Sequence, residues 1–226
     1  MNMTQIHTRR DSPHPLVDTV WATKNISDGV YSATPDGSWD LIALIMPDGT
    51  QRMMITGQAT KPTDVPYQKN TSSVVISFAR GAYIPVYAGK LVDLFEMLPN
   101  ADATHFILCS KTFAFPSYET AEELVESLVE SGLLLADPVT YAADNHSTWA
   151  ASKRSHQRHF AEYAGISEKS FEQIERAKNA VRQLQDGKTP RDVAADVGYS
   201  DQPHLARSLK KIMGVKPSDV DDIHKL

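Results

Sequence analysis

A single cysteine, Cys109, stands among 226 residues, so no disulfide can close within the chain, and the composition suits a reducing compartment. No apolar run approaches the roughly 20 residues a membrane-crossing helix needs. The opening M-N-M-T-Q-I-H-T-R-R carries no apolar core of a secretory signal. A cytoplasmic protein without a membrane partner is the expectation. Before residue 116 the histidines are His7, His14 and His105, too scattered for a metal-ligating set. No Gly-rich phosphate loop and no Ser/His/Asp pattern stands out either. No metal, no other cofactor and no enzyme activity are therefore expected. Positive charge is also scarce, with a net charge of −5, which at first speaks against a nucleic-acid partner. The distribution answers that. Residues 151–216 hold 13 Lys/Arg against 8 Asp/Glu, while acids gather from Glu119 to Asp137 and at Asp219, Asp221 and Asp222. A basic face on an acidic chain still binds phosphates, because charges beyond a Debye length are screened.

What is present is most pointed from Thr189 to Gly214, T-P-R-D-V-A-A-D-V-G-Y-S-D-Q-P-H-L-A-R-S-L-K-K-I-M-G. Thr189 is a good N-cap, with Pro190 at the first helical position and Asp192 near the positive helix end. Val193, Ala194 and Val197 make a stripe of small apolar residues that lets a second helix come close. Gly198 suits the left-handed residue that ends a helix, and Ser200 is placed to cap the next. In that second helix Leu205, Leu209 and Ile212 fall on one face. Pro203, Ala206, Arg207 and Lys210 fall on the other, with Gln202 in the first turn. A dry back and an Arg/Lys/Gln front is what the major groove of double-stranded DNA demands of a recognition helix.

The pattern occurs twice. Arg158, Phe160 and Gly165 have the same mutual offsets as Arg207, Leu209 and Gly214, which lie 49 residues later, so one supersecondary unit is used twice. In the first copy Ser152 can cap and Gly165 can terminate. Phe160, Tyr163 and His156 share a face, opposite Arg154, Ser155, Arg158 and Glu162. From Ser167 to Leu184 the stripe Phe171, Ile174, Ala177, Val181 and Leu184 predicts one connecting helix. At 1.5 Å per residue its length is about 27 Å, near the roughly 34 Å between successive major-groove faces.

The run G-Y-S-D-Q-P-H-L-A-R-S-L-K-K-I-M-G-V-K-P resembles the second helix-turn-helix of AraC/XylS-family transcription regulators, which carry two such motifs joined by a long helix. The resemblance implies DNA contact by Arg154, Gln157 and Arg158 in the first motif and by Gln202, Pro203, His204 and Arg207 in the second. Arg can fork onto guanine and Gln onto adenine, while Lys210 suits a phosphate. The first motif departs from the family. His156 replaces a usual Leu, and A-D-N-H-S-T-W-A-A stands where an Ala-x-x-x-Gly turn belongs, so the first half would dock less firmly.

Residues 1–16 read as a polar arm. V-Y-S-A-T, W-D-L-I-A-L-I-M, R-M-M-I-T-G and S-V-V-I-S-F-A read as strands, separated by Pro35-Asp36-Gly37, Pro47-Asp48-Gly49 and T-K-P-T-D-V-P turns. Gly89 to Leu98 reads as a short helix with Leu91, Leu94, Phe95 and Leu98 inward. The segment P-D-G-S-W-D-L-I with I-T-G-Q and S-F-A-R-G-A-Y is similar to the cupin-like sensory domain of some of these regulators. Trp21, Tyr31, Trp39, Phe78, Arg80, Tyr83 and Tyr87 are candidates to line a ligand pocket there. A change of texture at Pro116 precedes a helix with Ser117 as cap and Ala121, Leu124, Val125, Leu128 and Val129 inward.

The expected fold is α+β in two domains: an antiparallel β barrel or sandwich, cupin-like, over 1–116, then an all-α domain over 117–226 with two helix-turn-helix motifs joined by a long helix. No Gly/Ser linker separates them, so they should touch. The expected function is sequence-specific transcription regulation. A small-molecule effector or protein bound to the first domain would change DNA affinity, homodimer formation or RNA polymerase contact. The alternatives are a cupin-like enzyme with a DNA-binding tail and an effector-independent dimeric DNA-binding protein.

Overall fold

The structure, a computed structural model, describes residues 5–137 and 153–222. Strands β1 (Gln5–Asp11), β2 (Val17–Asn25), β3 (Gly29–Ala33), β4 (Asp40–Ile45), β5 (Gln51–Thr56), β6 (Thr63–Tyr67), β7 (Ser72–Phe78), β8 (Ala82–Tyr83), β9 (Phe95–Leu98), β10 (His105–Leu108) and β11 (Lys111–Ala114) come first. They are followed by α1 (Ala121–Glu130), β12 (Leu135–Ala136), α2 (Lys153–Ala164), α3 (Glu168–Gln185), α4 (Pro190–Val197), α5 (Gln202–Ile212) and a 3-10 turn, Pro217–Asp222. A six-stranded antiparallel sheet runs in the order β1-β2-β7-β4-β5-β9. Its alternation is visible in the sequence: Leu41 and Ala43 of β4, and Met53 and Ile55 of β5, face the core at successive even spacings. The Pro47-Asp48-Gly49 turn joins β4 to β5. Gly49 takes φ 85°, and Asp48 Oδ1 accepts from Thr50 N at 2.9 Å, the two local reasons such a triplet bends.

Four expectations are corrected. The N-terminal arm contributes β1, paired along its length with β2. The segment 89–98 is a string of turns ending in the edge strand β9, and Leu94 and Phe95 are exposed rather than inward. Its apolar residues satisfied a helical period, but pairing with β5 from Met53↔Leu98 to Thr56↔Phe95 won the backbone. The start of α1 is Thr120, with no side-chain cap bond; Ser117 instead binds the Thr120 hydroxyl and Glu119.

The fourth concerns the boundary at 116/117. Ala121, Leu124, Val125, Leu128 and Leu134 are buried in the same cluster as Val20, Leu41, Ile55 and Phe106 of the sheets. After α1 the chain returns to pair β12 with β8. The first core therefore runs to residue 137. A second core joins α3, α4 and α5, from Ala177 to Val220. A third, around Phe160, Tyr163, Ile166 and Ile174, is shared: Tyr83, Ala88 and Val92 of the first domain pack on it.

Candidate nucleic-acid interface

The second motif forms as its local chemistry requires. Thr189 Oγ1 accepts from Asp192 N at 3.3 Å, closing the N-terminus of α4. Gly198 stops the helix with φ 79°, and Tyr199 N then donates to Ala194 O at 2.8 Å. The cap of α5 is Asp201, not Ser200: its Oδ1 accepts from His204 N at 2.6 Å. A carboxylate at this position adds charge to the cap bond, which explains the preference. Leu205 and Leu209 are wholly buried, whereas Gln202, Pro203, His204, Arg207, Lys210 and Lys211 are exposed. Lys210 Nζ donates to Gly214 O at 2.8 Å, so its ammonium also closes the end of its own helix.

The first motif repeats the arrangement. In α2, Arg154, Gln157 and Arg158 are exposed, Phe160 and Tyr163 are buried, and Gly165 ends the helix at φ 71°. Arg158, Phe160 and Gly165 thus share the fates of Arg207, Leu209 and Gly214: outward, inward and left-handed. The side chains of Ser155 and His156, the cap Ser152 and the segment from Ala143 to Ala151 lie outside the described residues. The connector α3 runs over 18 residues with Ser167 as its cap, its side chain accepting from Ser170 N. Arg176 and Arg182 on α3 and Arg191 on α4 are exposed as well. The Arg176 guanidinium lies over the Tyr199 ring, 5.8 Å from its centroid. Being charged residues on the outward face of amphipathic helices, they carried no signal that set them apart.

The other candidates have different surroundings. Trp39 stacks on Phe78 at 3.8 Å, and its Nε1 donates to Ala82 O at 2.7 Å; these two fill the core. Trp21 sits mid-strand between Arg9 and Val75. Tyr31 opposes Val65 in the β3–β6 pair, its hydroxyl pushed up to about 12 by burial and then by Asp36 and Asp40. Tyr83, Tyr87 and Trp39 line a shallow, half-open cleft together with Leu91 and with Tyr163 of α2, and its sheltered space is about 20 Å³. Tyr87 donates to Glu96 at 2.9 Å. Burial and then that carboxylate raise its hydroxyl well above the ordinary range.

Arg80 has left any pocket for the helical half. Its guanidinium carbon lies 5.2 Å from the Phe160 ring and 4.9 Å from the Phe171 ring, with Glu168 at 3.7 Å. It is one of several ties. Lys178, buried on α3, donates to Asp36 O at 2.8 Å and to Glu175 at the same distance. His159 hydrogen-bonds the buried Asp137. Gly89 N donates to Tyr163 O at 2.9 Å. A Cβ on Gly165 would meet Gly89 Cα at 2.9 Å, and one on Gly37 would meet Phe171 at 2.8 Å. Behind Lys178, burial pushes the Asp40 carboxyl up to about 8, with neighbouring Asp36 adding to the rise and Ser77 and Thr56 opposing it. Asp36 is raised by burial and drawn back by Lys178. Lys178 was readable in principle: it is a charge beside the apolar stripe of Ile174, Ala177 and Val181.

The arrangement defines a class. Two helices with buried apolar backs and exposed, donor-rich fronts are joined by the 18-residue α3, and fronts of that kind suit the acceptors of groove edges and phosphates. Residues 148–222, behind the β-rich domain, match the family described as a helix-turn-helix domain. No curated protein matches the chain. Among solved structures it is similar to ToxT from Vibrio cholerae, at 9% identity and a TM-score of 0.42 over 96% of this chain and 97% of that one. It is also similar to ToxT from Vibrio cholerae O395, at 10% identity and 0.43 over 98% of each. A third is ToxT from strain SCE256 with an unsaturated fatty acid bound, at 9% and 0.41 over 100% of this chain and 98% of that one. Among the described residues no helix is long and apolar enough to cross a membrane.

Proposed function

We propose that this chain is a non-enzymatic, cytoplasmic transcription regulator that reads double-stranded DNA with α2 and α5. Arg158, Gln202 and Arg207 meet base edges, with Arg154, Gln157, Pro203 and His204 beside them, and Lys210 meets phosphate. The observation that carries the reading is the repeated fate of Arg158/Phe160/Gly165 and Arg207/Leu209/Gly214 at the two ends of α3. A small molecule in the cleft between Tyr83, Tyr87 and Tyr163 is the effector of this reading. The cleft is walled by the aromatic rings of Trp39, Tyr83, Tyr87 and Tyr163 and by the polar Thr56 and Gln58, which suits a small molecule with both apolar and polar parts. Tyr163 belongs to α2, so an occupant there touches a reading helix directly and shifts it by its differential affinity. RNA polymerase and a second copy of the chain are the further partners.

The test is selection of bound duplexes from a random library at moderate salt, with the full chain. One enriched site is expected, and Arg207→Ala should weaken it by about 1–3 kcal/mol while leaving the thermal midpoint in place. No enrichment, or an unchanged affinity for the variant, would remove α5 from the groove.

A further inference from the structure

We infer that His204 is a specificity-determining hydrogen-bond donor toward DNA, fixed by Ser200 in the tautomer that carries its proton on Nε2. The inference rests on the proposed entry of α5 into the major groove.

The geometry leaves one tautomer. The backbone N–H of Ser200 points at His204 Nδ1 across 3.3 Å. A backbone N–H only donates, so Nδ1 must offer its lone pair. Ser200 Oγ lies 3.0 Å from the same nitrogen, and its rotatable hydroxyl donates there as well. The proton of the neutral ring is then on Nε2.

The ring is held from other sides too. It stands edge-on to Tyr199, with centroids 5.2 Å apart and planes at 85°. The Tyr199 hydroxyl accepts from Ser208 Oγ at 3.3 Å, and Arg176 of α3 covers the Tyr199 ring. The main chain of His204 is pinned by the Asp201 cap. The charged or titratable groups tied to it through these contacts are Asp201 at its main chain, Tyr199 at its ring and, across the Tyr199 ring, Arg176 of the connector. His204 is nonetheless exposed. What it turns outward is a single N–H on a restrained ring.

A lone donor discriminates in one direction. Guanine N7 and O6, adenine N7 and thymine O4 can accept it; the cytosine amino group cannot. The base facing His204 should carry an acceptor, and cytosine should be excluded. This complements Gln202, whose amide both donates and accepts, one residue from the cap. A phosphate oxygen would accept the same proton but would carry no preference, so the two targets separate by experiment.

Two variants divide the ring's functions. His204→Asn keeps an acceptor near Nδ1 for Ser200 but has no donor at the reach of Nε2. His204→Gln places an amide donor near Nε2. The full chain is first examined free of DNA by long-range 1H–15N correlation, which reads the tautomer directly; Nε2–H with bare Nδ1 is expected. Duplex selection then compares both variants with the parent. Expected is a loss of about tenfold in preference at one base position for His204→Asn, with that preference largely kept by His204→Gln. A proton on Nδ1 overturns the inference. So does a uniform loss across all sequences for His204→Asn, which would assign the donor to phosphate, or equal behaviour of the two variants. If the parent enriches no sequence while the spectrum shows Nε2–H, the DNA reading of α5 has failed and the tautomer has not. If enrichment depends on Arg207 but not on His204, the failure belongs to this inference alone.

Discussion

At the scale of single residues, two carboxylates pull the stability of the first domain in opposite directions with pH. Asp40 is raised to about 8, mainly by burial. Its neutral form is the one the folded chain favours, so its contribution is complete below the ordinary carboxylate range and is lost as pH rises through about 8. Glu122 is lowered to about 2, mainly by its hydrogen bonds from Arg10. Its contribution is present above the ordinary range and lost as pH falls toward 2. Thermal unfolding should therefore show a fall in midpoint from pH 5 to pH 8.5 that Asp40→Asn flattens. It should also show an acid limb that Glu122→Gln flattens. A midpoint that climbs across pH 5 to 8.5 would mean that Asp40 is charged in the folded state. Leu205 and Leu209 illustrate the opposite kind of residue: fully buried and uncharged, they hold α5 in place whatever the pH.

Among the elements, glycines at helix ends separate backbone needs from packing needs. Gly198 and Gly165 both take left-handed φ, 79° and 71°. A Cβ on Gly198 meets nothing within 4 Å, whereas one on Gly165 meets Val92 Cγ2 at 2.6 Å and Gly89 at 2.9 Å. Gly198→Ala should cost about 1–2 kcal/mol, the ordinary penalty of that conformation. Gly165→Ala should add a collision between two main chains to the same penalty, and α2 should lift from the 81–92 segment. Hydrogen exchange at Gly89 N, which donates to Tyr163 O, reads this directly: much faster in Gly165→Ala, unchanged in Gly198→Ala. Equal exchange in both would mean that this contact does not hold α2.

For the molecule as a whole, the N-terminal domain braces α2 of the first motif. Phe160 and Tyr163 of α2 are covered by Tyr83, Ala88 and Val92 of the first domain, with Arg80 laid against Phe160 and Phe171. The second motif packs instead on α3 and α4 and touches the first domain at Gly214 against Pro62. The two helix-turn-helix motifs are thus braced unequally, and the effector proposed for the cleft beside Tyr163 would act first on α2. Arg80→Ala removes two cation–π contacts of about 0.5–2 kcal/mol each. It should enlarge the radius of gyration measured by solution scattering and weaken the DNA contacts proposed for Arg154 and Arg158 more than the one proposed for Arg207. A compact variant with unaltered DNA footprint would make Arg80 dispensable for the docking.

The sequence by itself determined the helices of the two motifs. Caps at Thr189 and Ser167, stops at Gly165 and Gly198, and the stripes from Ile174 to Leu209 act within four residues of themselves, so their outcome follows from local chain stiffness and hydrogen bonding. The Pro-Asp-Gly turn at 47–49 and the alternation in β4 and β5 are legible for the same reason. Only the tertiary structure decided where α1 packs, since its apolar face suits any core, and which way 89–98 folds, since β5 offers an edge that no window of sequence reveals. It also decided that Trp39 and Phe78 stack in the interior while Arg80 crosses to the helices. Those outcomes depend on partners tens of residues away, and contact across that distance is fixed by how the whole chain closes on itself.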